Sequence, residues 1–310
     1  MAKTAKTKVL MADLSLAGVN LIWGATFVTM KSLLGQGNPL NILFWRFLIA
    51  TLFLILFLPG HKPDKKTLRN GGILGMVLFS GYLFQTIGLV YTTPSRSAFI
   101  TGLSVILVPL FSWLILKTSL RRVTLVGVFL AFAGLSLMTL NSGELTGFAL
   151  KGDLLTLLGA IAYALQIVLV ERFTGESQSF PLASTEMITV VLLIFLLAIP
   201  FRAIRFSFSA VEFGQITFLG IAATGLAFAI QNVAQKHTTA IHVGLIFVLE
   251  PVFAAICSYI FWHEKLTPRT LAGCLLIMGG ILISGIKPGV LFYSPASRSS
   301  IFKLNSKPST

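Results

Sequence analysis

Charged side chains are the first scarcity in this chain: only 11% of its 310 residues are Asp, Glu, Lys or Arg. A soluble domain carries about 25%, and no water-facing surface of this size can be assembled from so few. Cysteine is almost missing. Cys257 and Cys274 are the only two, and both fall in apolar stretches, which excludes a disulfide framework and makes them small apolar fillers. There are four histidines and ten acidic residues, and no CxxC, HExxH, GxSxG or P-loop pattern. That inventory argues against a metal site, a cofactor or a catalytic nucleophile, so none is expected and the chain does not read as an enzyme.

What is abundant is apolar. Hydrophobic residues make up 55% of the chain, 26 of them phenylalanine, and the mean hydropathy is +0.88. About 20 apolar residues cross the hydrocarbon core as a helix. Ten stretches meet that need, at 14–34, 40–58, 71–91, 97–116, 122–141, 152–171, 182–200, 213–235, 239–262 and 270–287. Loop punctuation separates them: Gly35-Gln36-Gly37-Asn38-Pro39, Pro59-Gly60-His61-Lys62-Pro63, Asn141-Ser142-Gly143 and Pro288-Gly289. The eighth stretch is the least regular, since Gln231, Asn232 and Gln235 make its second half polar. The expected fold is an all-α membrane protein with ten transmembrane helices, whose chief partner is the lipid bilayer.

The net charge of +14 sits in tails and loops beside apolar runs. That is the pattern of charges that orient a membrane protein, so no nucleic-acid partner is expected. The basic start, Met1 to Met11, leads into an apolar stretch with no small-residue cleavage site, which reads as a retained first helix. With that start inside, sixteen Lys and Arg lie on the inner side and seven on the outer. Both termini are therefore expected in the cytoplasm of a multi-pass protein of the plasma membrane, the inner membrane of a bacterium. Residues 1–13 read as a short N-terminal tail and 288–310, rich in Ser, Pro and Lys, as a disordered one.

An internal repeat carries more information than any single motif. At a shift of 146 residues, Gln85 meets Gln231, Thr92-Thr93 meets Thr238-Thr239, Arg96 meets His242, Gly127 meets Gly273 and Gly134 meets Gly280. At shifts of 140 and 142, Asp13 meets Asp153, Trp23 meets Tyr163 and Pro39 meets Pro181. The shift changes in loops, as insertions do. Two five-helix repeats follow, 14–141 and 152–287. Five crossings reverse the chain, so the second copy enters from the opposite side. Inverted repeats of this kind recur in secondary transporters.

The residues also resemble a family. Asn20-Leu21-Ile22-Trp23-Gly24-Ala25-Thr26-Phe27 and Phe44-Trp45-Arg46-Phe47 are similar to the opening motifs of the EamA-like branch of the drug/metabolite transporter superfamily. So are Leu249-Glu250-Pro251-Val252-Phe253-Ala254-Ala255, Trp262-His263-Glu264-Lys265-Leu266-Thr267 and Gly273-Cys274-Leu275-Leu276-Ile277-Met278-Gly279-Gly280. The resemblance covers about residues 12–287. It implies a ten-helix secondary transporter with a central cavity, mostly of amino acids, metabolites or toxic compounds and mostly outward. Lys117-Thr118-Ser119-Leu120 departs from it, standing where a Gly-Glu pair is common.

Ionisable groups at bilayer depth cost about 2.5–3.5 kcal/mol on insertion scales and need a reason. Glu250, beside Pro251 in the ninth stretch, is a candidate carboxylate for a substrate amine or a coupling proton. Its bland alternative is a hydrogen bond between helices. Arg46 is the intramembrane base, either an anchor within snorkelling reach of the outer interface or a substrate contact. Glu186, four residues into the seventh stretch, and His242, at a helix end, read as interface residues. Pro109 and Pro251 are expected kinks; they are offset by four residues between the copies, which predicts breaks about one turn apart. Tyr82 with Gln85, Tyr163 with Gln166, and Phe228 with Gln231 pair at i, i+3. With Asn20 and Trp23 they are the candidate cavity wall, the alternative being ordinary amide packing.

The function expected is secondary active transport, in the direction of export, of a small organic metabolite such as an amino acid or a toxic analogue. Protons are one open coupling ion, and monomer and homodimer are both open. The rivals are a nucleotide-sugar or sugar-phosphate carrier, which would need Arg46 and Lys31 as phosphate ligands, and a membrane-embedded enzyme or scramblase.

Overall fold

The computed structural model describes residues 2–57, 62–139, 147–253, 256 and 267–285, and every element among them is helical. Cys257, the motif 262–266 and the C-terminal tail lie outside the described residues. Thirteen α-helices are named: α1 (Ala2–Gly24), α2 (Thr26–Leu34), α3 (Pro39–Phe57), α4 (Lys65–Tyr91), α5 (Pro94–Gly102), α6 (Ser104–Leu116), α7 (Arg122–Thr139), α8 (Gly147–Thr174), α9 (Ser179–Ala198), α10 (Ala210–Gly220), α11 (Ala227–Ala234), α12 (Ala240–Phe247) and α13 (Pro268–Gly285). A π-helical turn, Ile221–Leu226, joins α10 to α11, and residues 249–253 continue the line of α12 as further helix.

Seven helices are long and apolar enough to cross a bilayer, and they include the expected eighth stretch as Ala210–Ala234. The expected fifth, ninth and tenth spans are shorter apolar helices, Arg122–Leu137, Ala240–Phe253 and Pro268–Ser284. They end where the described residues end. Capping sets several starts. Asp64 accepts from the Thr67 amide at 2.8 Å ahead of α4, Ser209 and Glu212 form a capping box at α10, and Thr93 and Thr239 cap α5 and α12.

The polarity of the molecule is inside out relative to a soluble protein. Leu56 is 80% exposed and Leu275 73% exposed, whereas Asn20, Gln231, Asn232 and Glu186 are fully buried. Buried groups of this kind need protein partners, and an apolar rim of this kind needs lipid.

Close approach joins α4 to α8 and α9, and also α7 to α13, which run antiparallel. A Cβ placed on Gly134 would meet the Gly273 carbonyl oxygen at 2.5 Å, and one on Gly127 the Gly280 oxygen at 2.6 Å. These contacts exchange under the 146-residue shift. Small residues here let the two backbones touch, which is how helices associate without a hydrophobic driving force.

Four spans are interrupted, each near the centre of the molecule. The first breaks at Ala25, the fourth at Leu103, the eighth at the π-turn and the ninth at Val248. Pro251 accounts for the last: having no N–H, it cannot donate to the carbonyl of Phe247, the last residue of α12. The fourth span behaves differently from expectation. Pro109 lies inside α6, and the break falls earlier, where Gly102 ends α5. Glycine is the residue that loses most backbone freedom in a helix, so the chain gives way there first. Leu103 corresponds to Leu249 under the repeat shift. The breaks are therefore one residue apart rather than one turn, although the prolines are offset.

Candidate functional site

The interrupted spans surround an internal cavity, lined by residues of α1 to α6, α8, α11, α12 and the segment after it. Of the expected wall, Trp23, Tyr82, Gln85, Tyr163, Gln166, Phe228 and Gln231 line it, and so do Arg46, Glu250 and Pro251. Asn20 does not. Its side-chain amide donates to the Leu16 carbonyl at 2.8 Å, one turn back on its own helix, and it is fully buried. Pro109 is also absent from the wall. Thr26, Thr86, Thr101 and Ser104 join it, and sequence pattern did not distinguish these small hydroxyls from helix-packing threonines and serines.

The wall is held by hydrogen bonds between side chains far apart in sequence. Tyr163 Oη donates to Gln85 Oε1 at 2.9 Å, and Gln85 Nε2 donates to Thr101 Oγ1 at 2.8 Å. Gln231 Nε2 donates to Gln166 Oε1 at 3.1 Å and to Gln235 Oε1 at 2.9 Å. Gln231 Oε1 has no protein partner among the described residues. The rings pack edge to face, Tyr82 against Tyr163 at 5.4 Å and Trp23 against Phe247 at 4.9 Å.

Arg46 does not snorkel. Its side chain turns inward and is 3% exposed. Nε donates to Thr224 Oγ1 at 2.7 Å, Nη2 donates to Tyr82 Oη at 3.1 Å, and the guanidinium lies 4.6 Å from the Tyr82 ring centre. Thr224 belongs to the π-turn and donates onward to the Leu219 carbonyl. The Ala223 carbonyl, in the same turn, accepts from Trp23 Nε1 at 2.8 Å. A π-turn displaces carbonyls from the helix ladder, which is why such turns recur at functional sites. Here it holds the guanidinium in place.

Two carboxylates stand near this network. Glu250 lines the cavity, half-buried, with no side-chain hydrogen bond among the described residues. Glu186, expected at the interface, is fully buried instead. Oε1 accepts from Gln166 Nε2 at 2.9 Å and Oε2 from Asn232 Nδ2 at 3.4 Å. Its helix begins at Ser179 rather than 182, which carries Glu186 about a turn deeper. Gln166 lines the cavity with one side of its amide and touches Glu186 with the other.

Lys31 has a different task from the phosphate ligand considered above. Nζ donates to the carbonyls of Leu89 at 2.7 Å and Thr92 at 2.9 Å, closing the C-terminal end of α4. Arg96 pairs with Asp153, and His242 with Asp13 at 3.1 Å. No group of three or more His, Cys, Asp or Glu able to hold a metal ion occurs among the described residues.

An apolar rim, helices of membrane-crossing length and an interior cavity with polar walls define a multi-pass membrane protein built to hold a small solute. The chain belongs to the EamA-like transporter family, which matches residues 10–140 and again residues 150–286. An uncharacterized transporter of Archaeoglobus fulgidus is 33% identical over 283 residues, covering 90% of this chain and 87% of its own. The uncharacterized transporter YyaM of Bacillus subtilis is 28% identical over 290 residues, covering 87% and 92%. A crystal structure 20% identical in sequence superposes with a TM-score of 0.77 over 89% of this chain and 98% of its own, which shows a shared fold. The protein is a transporter of this family.

Proposed function

We propose that the protein exports a small organic metabolite, such as an amino acid or a toxic analogue, by alternating access between two inverted five-helix repeats. The observation that carries this reading is one cavity bearing a guanidinium, a carboxylate, amides and aromatic rings together: Arg46, Glu250, Gln85, Gln166, Gln231, Tyr82 and Trp23. A cation and an anion facing one amphipathic space suit a solute that carries both an acid and an amine. The double match of one family to the two halves, and the α7–α13 contacts that exchange under the repeat shift, support the inverted arrangement. Beside the seven long helices, three shorter apolar helices at the expected fifth, ninth and tenth positions support a reading of ten spans. The bias of basic residues supports cytoplasmic termini, with the repeats at 14–141 and 152–287.

The phosphate-carrying rival loses ground because Lys31 is engaged with backbone carbonyls. Arg46 is then the one basic residue in the described cavity wall. Glu250 is the first choice for the coupling or amine-binding carboxylate, and Glu186, behind Gln166, is the second. Overexpression in cells challenged with a panel of amino acids and toxic analogues tests the reading: resistance to a subset is expected. Sensitivity unchanged across the panel, with the protein shown in the membrane, contradicts it. In the resistant case, Glu250→Gln is expected to abolish flux while membrane abundance holds, and normal flux at every pH would remove Glu250 from the mechanism.

A further inference from the structure

Two ion pairs, not anticipated as partners, are related by the internal repeat. Asp13 and Asp153 are repeat mates, and so are Arg96 and His242. The structure joins Asp13 to His242 and Asp153 to Arg96. Each pair crosses between the two family-matched halves. The local frame repeats as well. Thr93 Oγ1 accepts from the Arg96 amide at 3.3 Å and Thr239 Oγ1 from the His242 amide at 3.3 Å, so each base sits in the first turn of a threonine-capped helix.

The pairs lie at opposite ends of the molecule. Asp13 is 18 residues before Lys31 on the first span, roughly 27 Å of helix. Lys31 Nζ bonds the Thr92 carbonyl, and Thr92 Oγ1 donates to Asp153 at 3.0 Å. Trp23, Thr26, Phe27 and Met30, the first span's contribution to the cavity wall, fall between the two ends.

We propose that Asp13–His242 and Asp153–Arg96 are the two latches of the transport cycle, each holding the halves together at one end of the cavity and released in alternation. The latches are unequal. Asp153 accepts from Arg96 through both Nε and Nη2 and from Thr92 as well. Asp13 is bound by His242 Nε2 alone, and its buried Oδ1 has no partner among the described residues. A guanidinium is always charged, whereas an imidazole carries charge only when protonated. The Asp13 latch is thus the weaker one, and it is an ion pair only while the imidazole is protonated.

The charged and titratable groups facing His242 are few. Its helix packs against α1, α6, α8 and α13. Helix α1 offers Asp13 and Lys8, α8 offers Glu171 and Arg172 at this end, and the preceding loop offers Lys236 and His237. Helix α6 carries no ionisable residue before Lys117 at its end, and the basic residue of α13, Arg269, bonds the Leu137 carbonyl. Glu171 Oε2 is engaged with the Ala240 amide at 2.6 Å. Burial, with Lys8 and Lys236 nearby, holds His237 below the ordinary imidazole range.

This inference rests on the alternating-access reading, and its test is separate from flux. Ser104, in the cavity wall, is replaced by cysteine in a chain whose Cys257 and Cys274 are serine. The protein is reconstituted in vesicles and labelled with a membrane-impermeant maleimide from either side. Asp13→Asn is expected to raise labelling from the side of the termini by up to about fivefold, the most that an accessible ion pair supports. Arg96→Gln is expected to raise it from the other side. His242→Arg, which fixes the charge on this pair, is expected to lower labelling from the terminal side. Exchanging the partners, Asp13→His with His242→Asp, should restore the starting pattern and shows that loss of fold is not the cause. Labelling that ignores both single variants overturns the latches. Absence of flux with the labelling pattern intact would instead overturn the transport reading.

Discussion

Arg46 occupies a depth from which a lipid-facing arginine would reach the headgroups, yet it is enclosed by Thr224, Tyr82 and the Ala223 carbonyl. Burying a guanidinium is tolerable only when its donors are matched, and a planar fork matches them where an ammonium cannot. Arg46→Lys should therefore weaken solute binding at least tenfold, about 1.4 kcal/mol, read as a raised KM with the protein still in the membrane. An unchanged KM would make Arg46 a purely structural anchor. Glu186 shows a different dependence. Removing it leaves the buried Gln166 amide without its acceptor, while Asn232 keeps the Phe228 carbonyl, a loss of about 1–3 kcal/mol, so Glu186→Ala should lower Tm in detergent and Glu186→Gln should lower it less. Neither environment was legible in sequence. Both residues could be counted along a helix, but depth depends on where the helix starts and orientation on which neighbour offers an acceptor.

Among the elements, the interrupted spans matter most. Their discontinuities fall at Ala25, Leu103, Val248 and the π-turn, all beside cavity-lining residues. Proline alone indicated the ninth-span break. Gly102 is a weaker signal for the fourth-span break, since glycines also sit inside the unbroken α4, and the π-turn carries no comparable local signal. Helix packing gives a further prediction. Gly134→Val should cost about 1–3 kcal/mol by overpacking against the Gly273 carbonyl, visible as a fall in Tm. No fall would mean that α7 and α13 are not in contact in the bilayer. At the α4 start, hydrogen bonds from Thr67 hold the Asp64 carboxyl below its ordinary value. A lowered folded-state pKa means that the cap contributes above the ordinary carboxylate range and is lost as pH falls through it. Protection of the Thr67 amide from exchange should fall on acidification, and Asp64→Asn should remove that pH dependence while keeping a cap.

For the whole molecule, the proposed repeat is the part that could be read from sequence. It follows from residue identities at fixed shifts, which survive without any knowledge of contacts. Tyr82, Gln85, Tyr163, Gln166, Phe228 and Gln231, chosen from pairing at i, i+3, line one cavity, whereas Asn20, grouped with them and three residues before Trp23, does not. Alignment alone could name Asp13 and Asp153, or Arg96 and His242, as mates. It could not show that each acid pairs with a base of the other half, because that is a property of how the halves dock. The central claim is that a small solute crosses through this cavity. Uptake of a labelled solute from the resistance panel into vesicles holding the purified protein tests it most directly, comparing the unaltered chain with Thr101→Trp, which fills the cavity from its wall. Saturable uptake that is lost in the filled variant, with the variant still folded, is the predicted result. Uptake that proceeds equally with the cavity filled would contradict the account.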